Sequence, residues 1–321
     1  MRKIVLSFLL FLNLSPLAAQ ETYRVTTLAD SGRGSLREAL ARGNRNVIFE
    51  VGGTIRLQGE LKLKASNVSI DGSTAPDPGI TLTGGVFSIE DARQVKVSHL
   101  RFRQSPDDNV RIIGGCRDIL LENCTSTHGG DGAIDISHHY KTLKRPKGVT
   151  IRRCLIACTE KAMLVASADD LTLEENLFTN NGQRNPQLHD AKRFLFANNV
   201  VRNFGTYGFR ARGGSTGDAI GNIIPLSPKL PNRPDRTFII SDQSGATRVY
   251  CKDNVGPQKH PIDRLSTLGN PVNGDLPPII RPARLLGILD EVGAHPHAKL
   301  DETLIEGDVS VPYRPSLTKD N

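Results

Sequence analysis

The sequence predicts an all-β chain wound as a parallel solenoid. Short segments of alternating apolar residues recur at a nearly constant spacing, and Asn or Cys returns at one equivalent place in successive segments. A single helical pattern precedes the repeat and would close its open end. The segments are VSIDGS (68–73), VKVSHLRF (95–102), ILLENCTS (119–126), VTIRRCLI (149–156), LTLEENLF (171–178), FLFANNVV (194–201) and GDAIGNII (217–224). Their starts lie 27, 24, 30, 22, 23 and 23 residues apart. A unit this short cannot bury its own apolar side chains. Stacking units at the inter-strand spacing of about 4.8 Å buries them in one continuous column.

The N-terminal residues read as a leader. Arg2 and Lys3 precede the apolar run IVLSFLLFLNL and the exit SPLAAQ, which is the pattern of a secretory signal peptide ending at Ala19. That run is too short for a transmembrane span, so the expected location is secreted or periplasmic. In GSLREALARG, Ser35 and Glu38 form a predicted capping box. Leu36, Ala39 and Leu40 make the apolar face, and Gly43 ends the helix. This is the expected N-terminal cap. The solenoid is assigned to 20–255, and 256–321 to a tail packed on its C-terminal turns.

Within the repeat, one column reads Cys124, Cys154, Asn176, Asn199, Asn222. Stacked asparagines can hydrogen-bond up such a column, with the two cysteines as small buried members. The five cysteines are odd in number and irregular in spacing, which does not fit a disulfide framework or a zinc site.

The chain carries 41 basic and 34 acidic residues, +7 in all. Removing the leader takes away two basic residues and leaves +5. A basic exported protein favours polyanionic partners. Few aromatics and no Trp argue against a base-stacking surface for nucleic acid.

The longest step falls where HGGDGAIDISHHYKTLKRPKG lies, and extra length on one side of a solenoid maps to a binding face. Asp131 and Asp135 stand four apart there. One turn earlier, QSPDDNVRI brings Asp107 and Asp108. If that segment is extended, Asp107 faces away from Asp108. Carboxylates stacked in this way repel unless a cation sits among them, and hard oxygen donors favour calcium. The next turns bring Lys161 and then Arg184. A lone Asp-Gly is a turn and a lone lysine a solvated residue. The weight comes from the series: carboxylates, carboxylates, lysine, arginine along one side.

The segments TTLADSGRGSLREAL, IDGSTAPDPGITL, LRFRQSPDDNVRI, DGAIDI, EKAMLV, NNGQRNPQLH and VGAHPHAKLDETLI together resemble the pectate lyases of polysaccharide lyase family one. The resemblance implies a right-handed parallel β-helix, Ca²⁺ as cofactor, and β-elimination of polygalacturonate. It implies a monomer acting on an acidic polysaccharide, with neither nucleic acid nor membrane as partner. Asp108, Asp131 and Asp135 match calcium-binding carboxylates, Lys161 the substrate-binding lysine, and Arg184 the base of R-x-P-x-x-R. The last arginine of that pattern is His189 here, a second expected substrate contact. The companion acid before Asp108 is Pro106, and LLENC stands in place of WVDH.

The chemistry accounts for these residue types. The proton on C5 of a uronate is alpha to a carboxylate and very weakly acidic. Calcium and Lys161 would neutralise that carboxylate and stabilise an enolate-like transition state. Arginine is ordinarily protonated. A site already holding a divalent cation and a lysine disfavours a third positive charge, so an alkaline optimum is expected, with Lys161 as the alternative base. Two other functions stay open on the residues alone. A β-helix glycoside hydrolase would need an acid–base carboxyl pair, and a non-catalytic β-helix would only bind acidic glycans.

Overall fold

A computed structural model describes residues 20–241 and 245–307; the leader at 1–19 and the end of the tail, 308–321, lie outside the described residues. The chain forms a parallel β-solenoid of about 8 turns, each contributing to three ladders of parallel strands.

Ladder one contains Leu61–Leu63, Phe87–Glu90, Val110–Ile113, Gly132–Ser137, the first halves of Lys161–Glu174 and Gln187–Ala197, then Phe209–Arg212 and Phe238–Ser241. Ladder two runs from Glu21–Val25 through Arg45–Phe49, Val68–Asp71, Arg93–Ser98, Arg117–Glu122 and Lys147–Arg152. It continues with the second halves of the two long strands, Thr216–Ile220 and Arg248–Lys252. Ladder three is Gly53–Arg56, Ile80–Thr83, Leu100–Arg103, Thr125–Thr127, Leu155–Ala157, Leu177–Thr179 and Val200–Arg202.

The register follows the repeat read from the sequence. Val68 pairs with Val95, Val95 with Ile119, Ile119 with Val149, and Val149 with Leu171. Phe194 then pairs with Gly217. Alternate residues point inward, as a strand's period of two requires. One inward column is Val47, Ile70, Val97, Leu121, Ile151, Leu173 and Phe196, all buried. In the later turns the core becomes aromatic, and Phe209 stacks on Phe238 with ring centroids 4.3 Å apart.

The asparagine column is a continuous hydrogen-bonded ladder. Asn176 donates to Asn199, Asn199 to Asn222 and Asn222 to Asn254, side chain to side chain at 2.9–3.0 Å. At one end Asn176 Oδ1 accepts the Cys154 amide, and at the other Asn254 donates to Asp263. All five cysteines are free and buried.

Near the start, Leu36–Ala39 is a single helical turn whose Leu36, Ala39 and Leu40 join the strand core. Only half of the capping box forms. Ser35 Oγ accepts the Glu38 amide at 3.2 Å, but the Glu38 carboxylate accepts from the Gly34 amide and the Tyr23 hydroxyl rather than from Ser35. The Tyr23 hydroxyl is the competing donor.

The tail lies on the outer face of ladder three. Helices α1 (Pro282–Ile288) and α2 (Lys299–Glu306) bury Leu285, Leu304 and Ile305 against Leu155, Leu177 and Val200. Asp301, fully buried, pairs with Arg101 and Arg103, and Arg101 also donates to the carbonyls of Pro78 and Ala294.

Candidate active site

The acidic residues gather where the chain enters ladder one. Asp107, Asp108 and Asp131 each offer a carboxylate oxygen, all within 4.8 Å of one another. Asp107 therefore belongs to the cluster, contrary to the expectation from an extended segment. The chain bends there instead. The Asp107 amide donates to Ser105 Oγ and the Asp108 amide to Asp107 Oδ1, so both carboxylates come to one side. The Pro106–Asp107 pair was the turn signal that the extended reading overlooked.

Asp135 lies one strand-step further, register-paired with Arg111 and Leu164, and its Oδ1 accepts the Leu164 amide at 3.3 Å. Gly132 sits beneath both acids. A Cβ there would fall 2.7 Å from Asp108 Oδ1 and 3.7 Å from Asp135 Oδ1, so any side chain would fill the space where the carboxylates converge.

Arg111 is a cation the sequence reading missed. It pairs with Asp107 and, at 2.9 Å, with Asp108 Oδ2. Asp108 Oδ1 remains buried with no hydrogen-bond partner. An orphaned carboxylate oxygen is costly, and this one faces a site with two further acids. Burial raises the Asp108 carboxyl above its usual range. Burial, then the nearby Asp108 charge, pushes Asp135 up to about 7, while Arg184 opposes the shift. Three crowded oxygen donors and an unmet acceptor fit a hard divalent cation such as calcium.

This has a measurable consequence. A carboxyl raised from 3.8 to about 7 in the folded state holds its proton better folded than unfolded. Without a cation, stability therefore falls as pH rises between those values. A bound cation requires the ionised form, so its stabilising effect must grow over the same rise. The melting-temperature gain from calcium over chelator should be small near about pH 5 and reach its full size near about pH 8. An equal gain at both would contradict the cluster as the binding site.

The cations follow in the next turns. Lys161 is register-paired with Gly132, and its ammonium pairs with Asp131. Gln183 stacks on Lys161 in turn, and the Arg184 carbonyl accepts the Met163 amide at 2.8 Å. Arg184 has φ 60°. Left-handed non-glycine residues also follow each ladder, as at Asp91, Asn123 and Asn180. Arg184 stands three residues before its ladder-one strand, as Cys158 does in the preceding turn. Strain of this kind collects where a side chain must be aimed.

The residues flanking Arg184 are not a solvated turn. Asn181 and Asn185 are buried and hydrogen-bonded to each other at 2.9 Å. Tyr207, from the following turn, holds the segment just after Arg184 at two points. Its carbonyl accepts from Asn185 Nδ2 at 3.1 Å, and its hydroxyl donates to Gln187 Oε1 at 2.7 Å. Burial raises the Tyr207 hydroxyl's pKa, and the adjacent Arg184 and Arg210 oppose that shift. No periodicity distinguishes Tyr207 from a core aromatic, so the sequence carried no sign of this contact.

His189 is exposed and register-paired with Ala166 and Arg212. A Cβ on Gly213 would meet the imidazole Cδ2 at 2.0 Å, so glycine leaves that ring its room. The extra length of the long turn leaves from the far end of its strand, after Ser137. Arg145 ties it down through Asp169 and Asp190, at 2.8 and 2.5 Å.

Residues 84–229 match the model of a right-handed β-helix region. A protein of Aspergillus terreus named probable pectate lyase C is 33% identical over 213 residues, 64% of this chain and 48% of that protein. The chain spans about half the length of the curated relatives it matches. A Bacillus subtilis pectate lyase variant superposes with a TM-score of 0.65 at 17% identity, covering 85% of this chain and 91% of the other. A pectate lyase of a Bacillus species in complex with trigalacturonate gives 0.62 at 12%, covering 78% and 85%. At such identities these two speak for the fold. Among the described residues, no helix is long and apolar enough to cross a membrane.

Proposed function

Because this chain is a right-handed parallel β-helix with pectate lyases among its homologues, we propose that it is a secreted or periplasmic, calcium-dependent polysaccharide lyase. It cleaves polygalacturonate by β-elimination and works as a monomer. The observation that carries the reading is the unpartnered Asp108 oxygen, set among Asp107, Asp131 and Asp135 with Lys161 and Arg184 on the next turns.

Asp108, Asp131 and Asp135 would hold the calcium ion, with Asp107 beside them. Calcium, when bound, supplies positive charge that neutralises a substrate carboxylate and the growing enolate. Lys161 leaves its pairing with Asp131 to bind that carboxylate. Arg184, as the neutral guanidine, takes the C5 proton. The C5–H electron pair becomes the C4–C5 double bond, the C4–oxygen bond breaks with its electron pair going to the leaving oxygen, and that oxygen takes a proton from solvent water. Tyr207 and Gln187 fix the segment that aims Arg184. His189 contacts a neighbouring uronate carboxylate, as a weaker partner than an arginine fork.

The products test this against the hydrolase alternative. Elimination leaves an unsaturated, ultraviolet-absorbing sugar at each new non-reducing end. Hydrolysis yields new reducing ends with no such absorbance, and that result would reject the lyase.

A further inference from the structure

The outer face of ladder three is divided. From Arg101 onward the tail packs on it, through Asp301, Ala294 and the apolar contacts of Leu155, Leu177 and Val200. Two polar columns begin on the earlier strands: Thr54 paired with Thr81, and Arg56 with Thr83 and then Arg103. Where the cover stops, a cleft of about 400 Å³ opens between these columns and Leu300 of α2.

Its lining contains no carboxylate. Arg56 makes no ion pair among the described residues, and Arg103, although paired with Asp301, keeps a buried Nε without a partner. The two arginines stand two layers apart, about 10 Å along the axis, with threonine hydroxyls between and beside them. Burial and the Arg103 charge lower the basicity of His128, also in the lining, which disfavours its protonated form. Cationic forks suit carboxylates, hydroxyls suit sugar hydroxyls, and Leu300 offers an apolar surface to a pyranose face. The lining has no aromatic platform for a base.

We propose that this cleft is a second glycan-binding site that takes a uronate unit of an acidic polysaccharide, apart from the carboxylate cluster. Its position extends the lyase reading, on which the identity of the glycan rests. Gln104 and His128 line the cleft, and the same two loops carry Asp107, Asp108 and Asp131 three or four residues later. One polymer can therefore cross the loops and engage both places.

Affinity electrophoresis in gels containing polygalacturonate and chelator tests the cleft, because calcium-mediated binding is then removed. The full chain should be retarded. Arg56→Glu should weaken retardation about tenfold, equivalent to about 1.4 kcal/mol, whereas the charge-matched Lys259→Glu, on exposed surface outside the cleft lining, should leave it in place. Gels with fully methyl-esterified pectin or neutral dextran should retard the chain far less. The proposal fails if polygalacturonate does not retard the protein, if Arg56→Glu has no effect, or if neutral polymer retards it equally. Cleavage, measured separately with calcium, isolates the lyase reading. Absent cleavage with Arg56-dependent retardation overturns the lyase and keeps the cleft.

Discussion

Arg184→Lys should lower kcat on polygalacturonate by on the order of 10²–10⁴-fold with little change in melting temperature. Lysine keeps the positive charge and much of the reach, so binding of the polyanion should change less than kcat. The lost element is a guanidine at one fixed point. That point is set by the backbone of Arg184 at φ 60°, by Asn185 bonded to the Tyr207 carbonyl, and by Gln187 bonded to its hydroxyl. Lysine at 184 enters the same backbone with a different donor geometry. Steady-state kinetics beside thermal unfolding separates the two effects. Full activity in the variant would remove Arg184 as the base. The wild-type rate should also rise from neutral to alkaline pH, since the base is the deprotonated form of a strongly basic group. A rate that falls steadily over that range would remove it equally.

The largest effect on stability is expected from Asn199→Ala. Asn199 Oδ1 accepts both the amide and the side chain of Asn176, while its Nδ2 donates to Asn222 Oδ1 and to the carbonyls of Leu173 and Ala197. Every one of these groups is buried. Truncation leaves several of them without partners, at about 1–3 kcal/mol each where water cannot enter. A net loss on the order of 3–5 kcal/mol follows, at the top of the range for single substitutions. In a stack where each turn rests on its neighbours, the loss acts at the centre. Faster unfolding in denaturant and a lower melting temperature would show it. A wild-type melting temperature would mean that the ladder contributes no net stability.

The repeat was readable because each strand's alternation and the 22–24-residue spacing of most turns report the same physical fact, one strand of a given ladder in each turn at a fixed height. The side-chain ladder follows from that register. Its last asparagine, Asn254, falls outside the repeat spacing because it lies 32 residues after Asn222. The longer connection between them, with a 3-10 turn at Pro234–Arg236, hides the spacing although the stacking is unchanged. The site was readable as a series of charges, one turn apart. What escaped were the contacts set by local chain direction. Asp107 turns back because Ser105 captures its amide, and Arg111 reaches three and four residues upstream to the acids. Glu38 chose a tyrosine hydroxyl over the expected cap. Tyr207 acts on a segment some 20 residues before it, through a neighbour that exists only once the turns are stacked.

In the proposed mechanism the crowded carboxylates at the entrance to ladder one would hold a calcium ion that the elimination requires. The most direct measurement is the initial rate of ultraviolet-absorbing product formation from polygalacturonate at alkaline pH, with calcium and with chelator, for the wild type and for Asp131→Asn. The account predicts a rate with calcium, none with chelator, recovery when calcium is restored in excess, and a much weaker calcium response in the variant. Unsaturated product formed equally well in chelator, or none under any of these conditions, would contradict it.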